Sequence, residues 1–476
     1  MSELKNKITT GLKWSAIERV VTQLIQLVVM LILGRMLGPK AFGLIGMLAI
    51  FISIAQTFVD SGFSNALIRK MDRDEHDYTT VFYFNIVMSI VCYAVLFISA
   101  PYISRFYNQP DLVILTRVLG LIVLVNSFSI VQRVRLSAAM DFKVQAKASL
   151  YSVFGSTILT FFLAYYKYGV WVLVFQTLSF NIINVILLNM FSPWFPRYSF
   201  SKKSFKQLFG FGSNLLISSL LDTIYNNIYQ LVIGRFFSVN QLGLFSQAKN
   251  LSCIPAMTLT SVLQKVMYPM MSHIQDKQDV LEHTYLLTLR LSAVIIFPLI
   301  IGVGVIANPL FTLILGNEWV SAAELVSILC LGYMLYPIHA INLNLLQVKG
   351  RSDLFLKLEI IKKIITTAML FVTVPFGVKA ICIGMVIQSY LALLINAYYT
   401  SDFLSLSIMK QFKALSLIWM ITIICMLIPG ALSFMITNAF IKIVFVIFCS
   451  VIIYVLSIKY LQPDLFSHII KFFLRK

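Results

Sequence analysis

The sequence predicts an all-α polytopic membrane protein of about 14 transmembrane helices: two parallel six-helix lobes followed by two further helices. Three observations carry this. First, 59% of the 476 residues are hydrophobic and 12% are charged, with a mean hydropathy of +0.87, whereas soluble domains carry about 25% charged residues. Second, a bilayer span takes roughly 20 apolar residues, so 14 spans need about 280, which equals the hydrophobic share of this chain. Third, the basic residues alternate sides when the apolar runs are threaded in order. A soluble enzyme, a disordered chain and a single-anchor receptor are excluded.

The apolar runs fall at roughly 12–34, 41–60, 79–99, 113–132, 148–165, 171–189, 209–234, 242–269, 286–306, 320–345, 356–374, 380–400, 414–430 and 441–458. Starting from a cytoplasmic N-terminus, Lys5, Lys7 and Lys13 precede the first run. The later inner segments carry Arg69, Lys70 and Arg73; then Arg133, Arg135, Lys143 and Lys147; then Arg197, Lys202, Lys203 and Lys206. Beyond these come Lys277 and Arg290; Lys349, Arg351 and Lys357; Lys410 and Lys413; and Lys459, Lys471, Arg475 and Lys476. The outer segments hold Arg35, Lys40, Arg105, Lys167, Arg235 and Lys379. That is 25 inside against 6 outside, as the positive-inside rule requires, and a frame shifted by one span inverts it. The net charge of +19 therefore orients the chain against an anionic inner leaflet, with both termini cytoplasmic. It is no nucleic-acid patch.

The polar, basic start and the lack of a small-residue cleavage site argue against a removable signal peptide. The six cysteines (Cys92, Cys253, Cys330, Cys382, Cys425, Cys449) all fall in predicted spans, with no CxxC pair, and read as buried small hydrophobes. The five histidines show no metal-ligand spacing. No cofactor is implied. The connecting segments are short, and no GxxxxGK[ST] or GxGxxG occurs, so ATP does not act here directly. Asp72-Arg73-Asp74 spells a DxD, but without a nucleotide-binding domain it reads as a solvated loop.

Residues 32–44, ILGRMLGPKAFGL, return at 232–244 as VIGRFFSVNQLGL. Gly34-Arg35 aligns with Gly234-Arg235, and Gly43-Leu44 with Gly243-Leu244. Six spans separate the copies, and an even number makes the repeats parallel, related by an axis along the membrane normal. The expected division is 1–195 for the N-terminal lobe, 196–402 for the C-terminal lobe and 403–476 for the two extra helices and tail.

Charges inside spans are costly and usually line a water-filled path. They are Glu18, Arg19, Asp60, Arg117, Asp222, Lys249, Lys265, Glu324, Glu359, Lys362, Lys363 and Lys442. Glu359 and Lys363, four apart, are placed to pair. The seventh span, SSLLDTIYNNIYQLVIG, sets Asp222, Asn226 and Tyr229 on one stripe with Tyr225 and Gln230 at its edges. Together with Asn227 this exceeds what helix-to-helix bonding needs, and it suits a wet cavity that binds hydroxyls and stacks sugars. At the 200-residue offset Thr22 aligns with Asp222 and Gln26 with Asn226, and Glu18, Thr22 and Gln26 form a stripe of their own. Pro255, Pro269, Pro298, Gly302, Gly304 and Pro309 mark helices able to bend.

LKWSAIERV, GRMLGPKAFGL, FVDSGFSNALIRK, YPMMSHIQ and LLQVKGRSD, in this order, resemble the Wzx-type flippases of lipid-linked oligosaccharides. These form the polysaccharide-transport branch of the multidrug/oligosaccharidyl-lipid/polysaccharide exporter superfamily. The likeness is strongest to colanic and teichuronic acid exporters and runs to about residue 400. It implies paired six-helix lobes in a bacterial cytoplasmic (inner) membrane that turn a polyprenyl-diphosphate-linked oligosaccharide to the outer leaflet. It also implies a polysaccharide polymerase and other assembly proteins as partners, and no enzymatic activity. The candidate cavity residues come from the stripes and the in-span bases: Arg19, Thr22, Gln26, Asp222, Tyr225, Asn226, Asn227, Tyr229 and Lys249. Arg19 and Lys249 are the basic candidates for the diphosphate, and Asp60 or Asp222 for ion coupling. A cation- or proton-coupled multidrug antiporter of the same superfamily is the rival reading. A membrane polymerase or ligase would want a large outer loop, and a scaffold would not need charged spans.

Overall fold

The computed structural model describes residues 2–467 apart from Ser61, Met71 and Ser405. His468, Lys471, Arg475 and Lys476 lie outside the described residues. Sixteen α-helices run in order: α1 (Ser2–Asp60), α2 (Phe63–Arg69), α3 (Glu75–Tyr107), α4 (Leu112–Ser127), α5 (Ile130–Ala138), α6 (Phe142–Tyr165), α7 (Trp171–Phe191) and α8 (Lys202–Phe236), followed by α9 (Val239–His273), α10 (Gln278–Ile314), α11 (Val320–Tyr333), α12 (Tyr336–Val348), α13 (Ser352–Thr373), α14 (Val378–Leu404), α15 (Ile408–Leu432) and α16 (Ala439–Leu461). No strand occurs among the described residues.

The helical trace of α1 is broken at Gly38, whose φ of 69° and ψ of 174° are not helical. The following Pro39 cannot donate to that turn, so the first two predicted runs are separate rods. Among the described residues nine helical stretches are long and apolar enough to cross a membrane, or ten with the bent α4–α5 pair. α8 is not among them, because Asp222, Asn226, Asn227 and Gln230 dilute its apolar face. This is a multi-pass membrane protein.

The chain packs as two compact units, Met1–Gly243 and Leu244–Lys476. This division by packing falls after α8, later than the 195/196 boundary drawn from the repeat. In the first unit α6 packs on α7, α3 on α4, and α1 on both α6 and α8. In the second, α10 is the central rod, touching α11, α15 and α16, while α14 packs on α11 and α13.

The two halves repeat in their breaks as well as in their letters. α4 and α5 are one rod bent by 42°, and α11 and α12 are interrupted at the equivalent place, each after a gap of two residues. Some positive-φ residues also recur in the same order, Asn108, Met140 and Gly169 against Gly316, Gly350 and Gly377, whereas Gly38, Gly62 and Lys167 have no such counterpart among the described residues. The copies at 32–44 and 232–244 also meet reciprocally within the first unit. A Cβ on Gly43 would lie 2.0 Å from the Val239 carbonyl oxygen, and one on Gly243 would lie 1.9 Å from that of Pro39. Both contacts pair residues 200 apart with their counterparts, so the glycines are there to let two backbones cross.

Proline in a helix frees the carbonyl four residues earlier. Pro298 lies inside α10, and the carbonyl it frees belongs to Val294. The buried Tyr454 of α16 donates its hydroxyl to that oxygen at 2.9 Å. One of the two extra C-terminal helices therefore repairs a defect that the proline makes in the central rod.

At the other end of the first unit, Phe63, Leu67, Tyr78, Val81, Val134, Trp194 and Leu208 form a core cluster under α2. Beside it Lys70 donates to Asp77 Oδ2 at 2.6 Å, with the Asp77 side chain fully buried. Burial alone would lower the Lys70 ammonium. Its hydrogen bond to Asp77 and the charges of Asp77, Asp72 and Asp74 outweigh this and hold it above the ordinary lysine value. The pair's contribution is thus present throughout the neutral range; it is lost as pH rises past that raised value, and at the acid end as Asp77 takes up a proton.

Lys70→Met should strand the buried Asp77 carboxylate and cost about 3–5 kcal/mol, read as a lower melting temperature in detergent at pH 7. Tyr454→Phe should cost about 1–3 kcal/mol, by leaving the Val294 carbonyl unmet in an apolar core. Adding Pro298→Ala, which restores that carbonyl's own helical partner, should recover most of the loss. A double variant as unstable as Tyr454→Phe alone would refute the repair.

Candidate functional site

The stripes read from the sequence lie on α1 and α8, both in the first unit. Along the first rod of α1, Arg19 and Gln26 are exposed and Glu18 and Thr22 half-buried. The Thr22 hydroxyl is shielded from solvent and accepts or donates no hydrogen bond. On α8, Asp222 and Asn226 are exposed, Tyr225 and Asn227 half-buried, and Tyr229 is buried at 7% exposure. The helix thus splits into two faces. Asp222 and Asn226, four residues apart, share the open one. Thr223 and Asn227 share the packed one: the Thr223 hydroxyl is 3.0 Å from that of Thr57 on α1, and Asn227 donates to the Thr223 carbonyl at 2.8 Å. Asn227 is therefore spent on its own helix, and Tyr229 does not join the open face. Alternation between faces decided this, and the sequence alone could not say which face was turned outward.

The charged centre of this unit is a residue that the sequence assigned to an inner loop. Arg133 stands on α5, the second half of the bent rod, and is exposed. It donates to Asn184 Oδ1 of α7 at 3.0 Å, and the carboxylates of Asp60 and Glu18 lie within Coulomb reach of it. Asp60 itself is exposed at the end of α1. Amides surround the group: Gln132 donates to Asn189 Oδ1 at 2.6 Å, and Asn126 donates to Gln56 Oε1 at 3.3 Å. The signal that could have found Arg133 is the polar interruption Asn126-Ser127-Phe128-Ser129 inside an apolar run. It lies inside the 113–132 run, where the helix breaks at Phe128-Ser129 and then resumes.

Lys249 belongs to the second unit. It is half-buried on α9, one turn before Cys253, and Cys253 is hydrogen-bonded to Tyr333 at the end of α11. All six cysteines are free thiols. Glu359 forms an ion pair with Lys362, three residues on, since an i,i+3 step also brings side chains together on a helix; Lys363, the expected partner, is engaged as well. His339 on α12 is a second group that spacing did not single out. Its Nδ1 faces Asn396 Nδ2 at 3.2 Å and its Nε2 faces Ser389 Oγ at 3.1 Å. The amide can only donate, so Nδ1 accepts and Nε2 carries the proton toward Ser389. Ser389 passes a bond on to the Gly332 carbonyl at 3.1 Å, next to the α11–α12 break. Among the described residues no group of three His, Cys, Asp or Glu could hold a metal ion.

Long helices broken at matching points, with amides and charges gathered at one break, define a polytopic helical transporter fold. The chain belongs to the polysaccharide biosynthesis protein family, whose profile matches residues 32–324. It is 25% identical over 364 residues to the teichuronic acid biosynthesis protein TuaB of Bacillus subtilis (74% of each chain). It is 26% identical over 399 residues to the lipopolysaccharide biosynthesis protein WzxC of Escherichia coli (83% of this chain, 80% of that one). In fold it is similar to the lipid II flippase MurJ in an inward closed conformation, with a TM-score of 0.77 at 13% identity over 95% of this chain and 99% of that one.

The division of α8 is open to labelling. In a background without the six native cysteines, Asp222→Cys and Asn226→Cys should react with a charged, membrane-impermeant thiol reagent in open membranes. Thr223→Cys and Asn227→Cys should react at least about tenfold more slowly, because a thiol must be solvated to ionise. Equal rates at the four positions would remove the polar face.

Proposed function

We propose that this protein is a flippase that carries a polyprenyl-diphosphate-linked oligosaccharide from the inner to the outer leaflet of a bacterial cytoplasmic membrane, for assembly of a surface polysaccharide. The observation that carries this reading is the exposed Arg133 on a broken membrane helix, held by Asn184 with Asp60 and Glu18 close by. A neutral drug needs no such group, whereas a diphosphate carries roughly two negative charges that a guanidinium binds well. Membership of the polysaccharide biosynthesis family supports the glycan, and the relatives' names support a lipid-linked surface polymer.

In this reading Arg133 and Arg19 of the first unit meet the diphosphate, Asp222, Asn226 and Tyr225 meet the sugar, and Lys249 is the second unit's own basic candidate. Thr22 and Gln26 extend the polar wall along α1, and the prenyl tail stays in lipid. Asp60, or Asp222, is the group through which an ion could couple to the cycle, since a carboxylate beside Arg133 must give way when the diphosphate arrives. The matching breaks in α4–α5 and α11–α12 supply bends for alternating access. Both termini are cytoplasmic.

Arg133→Gln should keep folding and insertion, because an amide can still meet Asn184, yet surface polysaccharide should fall at least about tenfold at matched protein level. Asn226→Leu should lower output as well, since lipid tolerates the change while a hydrated sugar loses a partner. Wild-type output from both variants would sink the site. A reporter fused after Lys476 and active only on the outer side would overturn the orientation.

A further inference from the structure

Beyond transport, the segment between α7 and α8 presents a surface that the proposed function does not use. It is pinned from beneath. Trp194 is 7% exposed, and its indole N–H donates to Glu75 Oε2 at 2.8 Å. The Ser201 amide donates to Thr80 Oγ1 at 3.1 Å, and the Tyr198 ring lies 4.3 Å from that of His76. Trp194 thus faces the core cluster under α2, and the strap is fixed to the first turns of α3.

Fixing that side turns the other outward. Phe195 is 74% exposed, Tyr198 46% and Phe200 44%. Among these rings stand Arg197, Lys202, Lys203 and Lys206, all exposed, and none forms an ion pair among the described residues. The neighbouring acids are otherwise engaged: Glu75 by Trp194, Asp74 by the capping box with Asp77, and Asp72 by the charge of Lys70. The lysines do not serve the helix either. α8 begins at Lys202 with no acidic residue in its first turn, where cations oppose the helix dipole. Three exposed rings and four cations on a rigid strap are costly in water and at home in a headgroup layer, where rings sit at the interface and bases meet phosphates. The strap starts at the end of α7, a helix long and apolar enough to cross a membrane, which sets it at the edge of the bilayer.

We propose that residues 195–206 form a docking surface for acidic glycerophospholipid headgroups, with Arg197, Lys202, Lys203 and Lys206 binding the phosphates and Phe195, Tyr198 and Phe200 entering the acyl boundary. An acidic soluble protein would satisfy the cations but not the rings. The surface acts whether or not the chain is a flippase, so its test stands apart from the transport assay.

The full-length protein, purified from nanodiscs of phosphatidylcholine and phosphatidylglycerol, should retain phosphatidylglycerol preferentially by native mass spectrometry. The quadruple variant R197Q/K202Q/K203Q/K206Q should retain about tenfold less, and F195S/Y198S/F200S should also weaken retention. The same retention in wild type and quadruple variant would overturn the proposal. A second measurement uses the wild-type chain alone: a photoactivatable phosphatidylglycerol should label peptides spanning 195–206, and the label should fade as salt is raised. Labelling confined to other segments, or of equal strength with photoactivatable phosphatidylcholine, would equally overturn it.

Discussion

Inside a bilayer no water is available to a backbone group that loses its helical partner, and the rest of this structure follows from that constraint. Every departure from a straight helix has to be answered by a side chain from somewhere else. Pro298 frees the Val294 carbonyl, and Tyr454, far along the chain, donates to it. In the same helix the Gly304 carbonyl, which no proline frees, also accepts from Ser327 at 2.7 Å and ties α10 to α11. At the break between α11 and α12, Ser389 reaches back to Gly332 and is itself held by His339. Tyr285, Asn342, Thr400 and Gln411 form a further buried knot between α10, α12, α14 and α15.

The same constraint explains where function can reside. A transporter needs helices that bend and groups that hold charge, and both are penalised in lipid. In the first unit they occur together: the rod bent between α4 and α5 carries Arg133, and the amides of Asn126, Gln132, Asn184 and Asn189 gather around the bend. An unpaired guanidinium in hydrocarbon would be intolerable. Here Asn184 fixes its direction, and the charges of Asp60 and Glu18 offset its own. Under the proposed function, a guanidinium held this way is the group for which an arriving phosphate would compete.

Much of this was legible beforehand. The apolar runs marked the helices, and the repeat at 200 residues marked positions whose backbones cross, Gly43 over Val239 and Gly243 over Pro39. The polar stripe on α8 was visible, but only half of it is open. Asp222 and Asn226 face outward, while Thr223 and Asn227 lie against α1 and Tyr229 is buried. Helical spacing shows which residues share a face and is silent on what that face meets. Arg133 stands just past the 113–132 run in the sequence, and the structure puts it on α5, a helix that resumes after the break at Phe128-Ser129.

The sequence by itself determined the class of protein, an all-helical multi-pass membrane chain, because hydropathy is a property of the chain. Tertiary structure alone decided which polar groups are occupied and which are offered. Trp194 turns inward to Glu75 and leaves Phe195 outside, and Arg133 finds Asn184 fifty-one residues away. A polar side chain in a membrane takes whichever partner packing brings within about 3 Å. That partner is set by how helices distant in sequence come together, which no local pattern records.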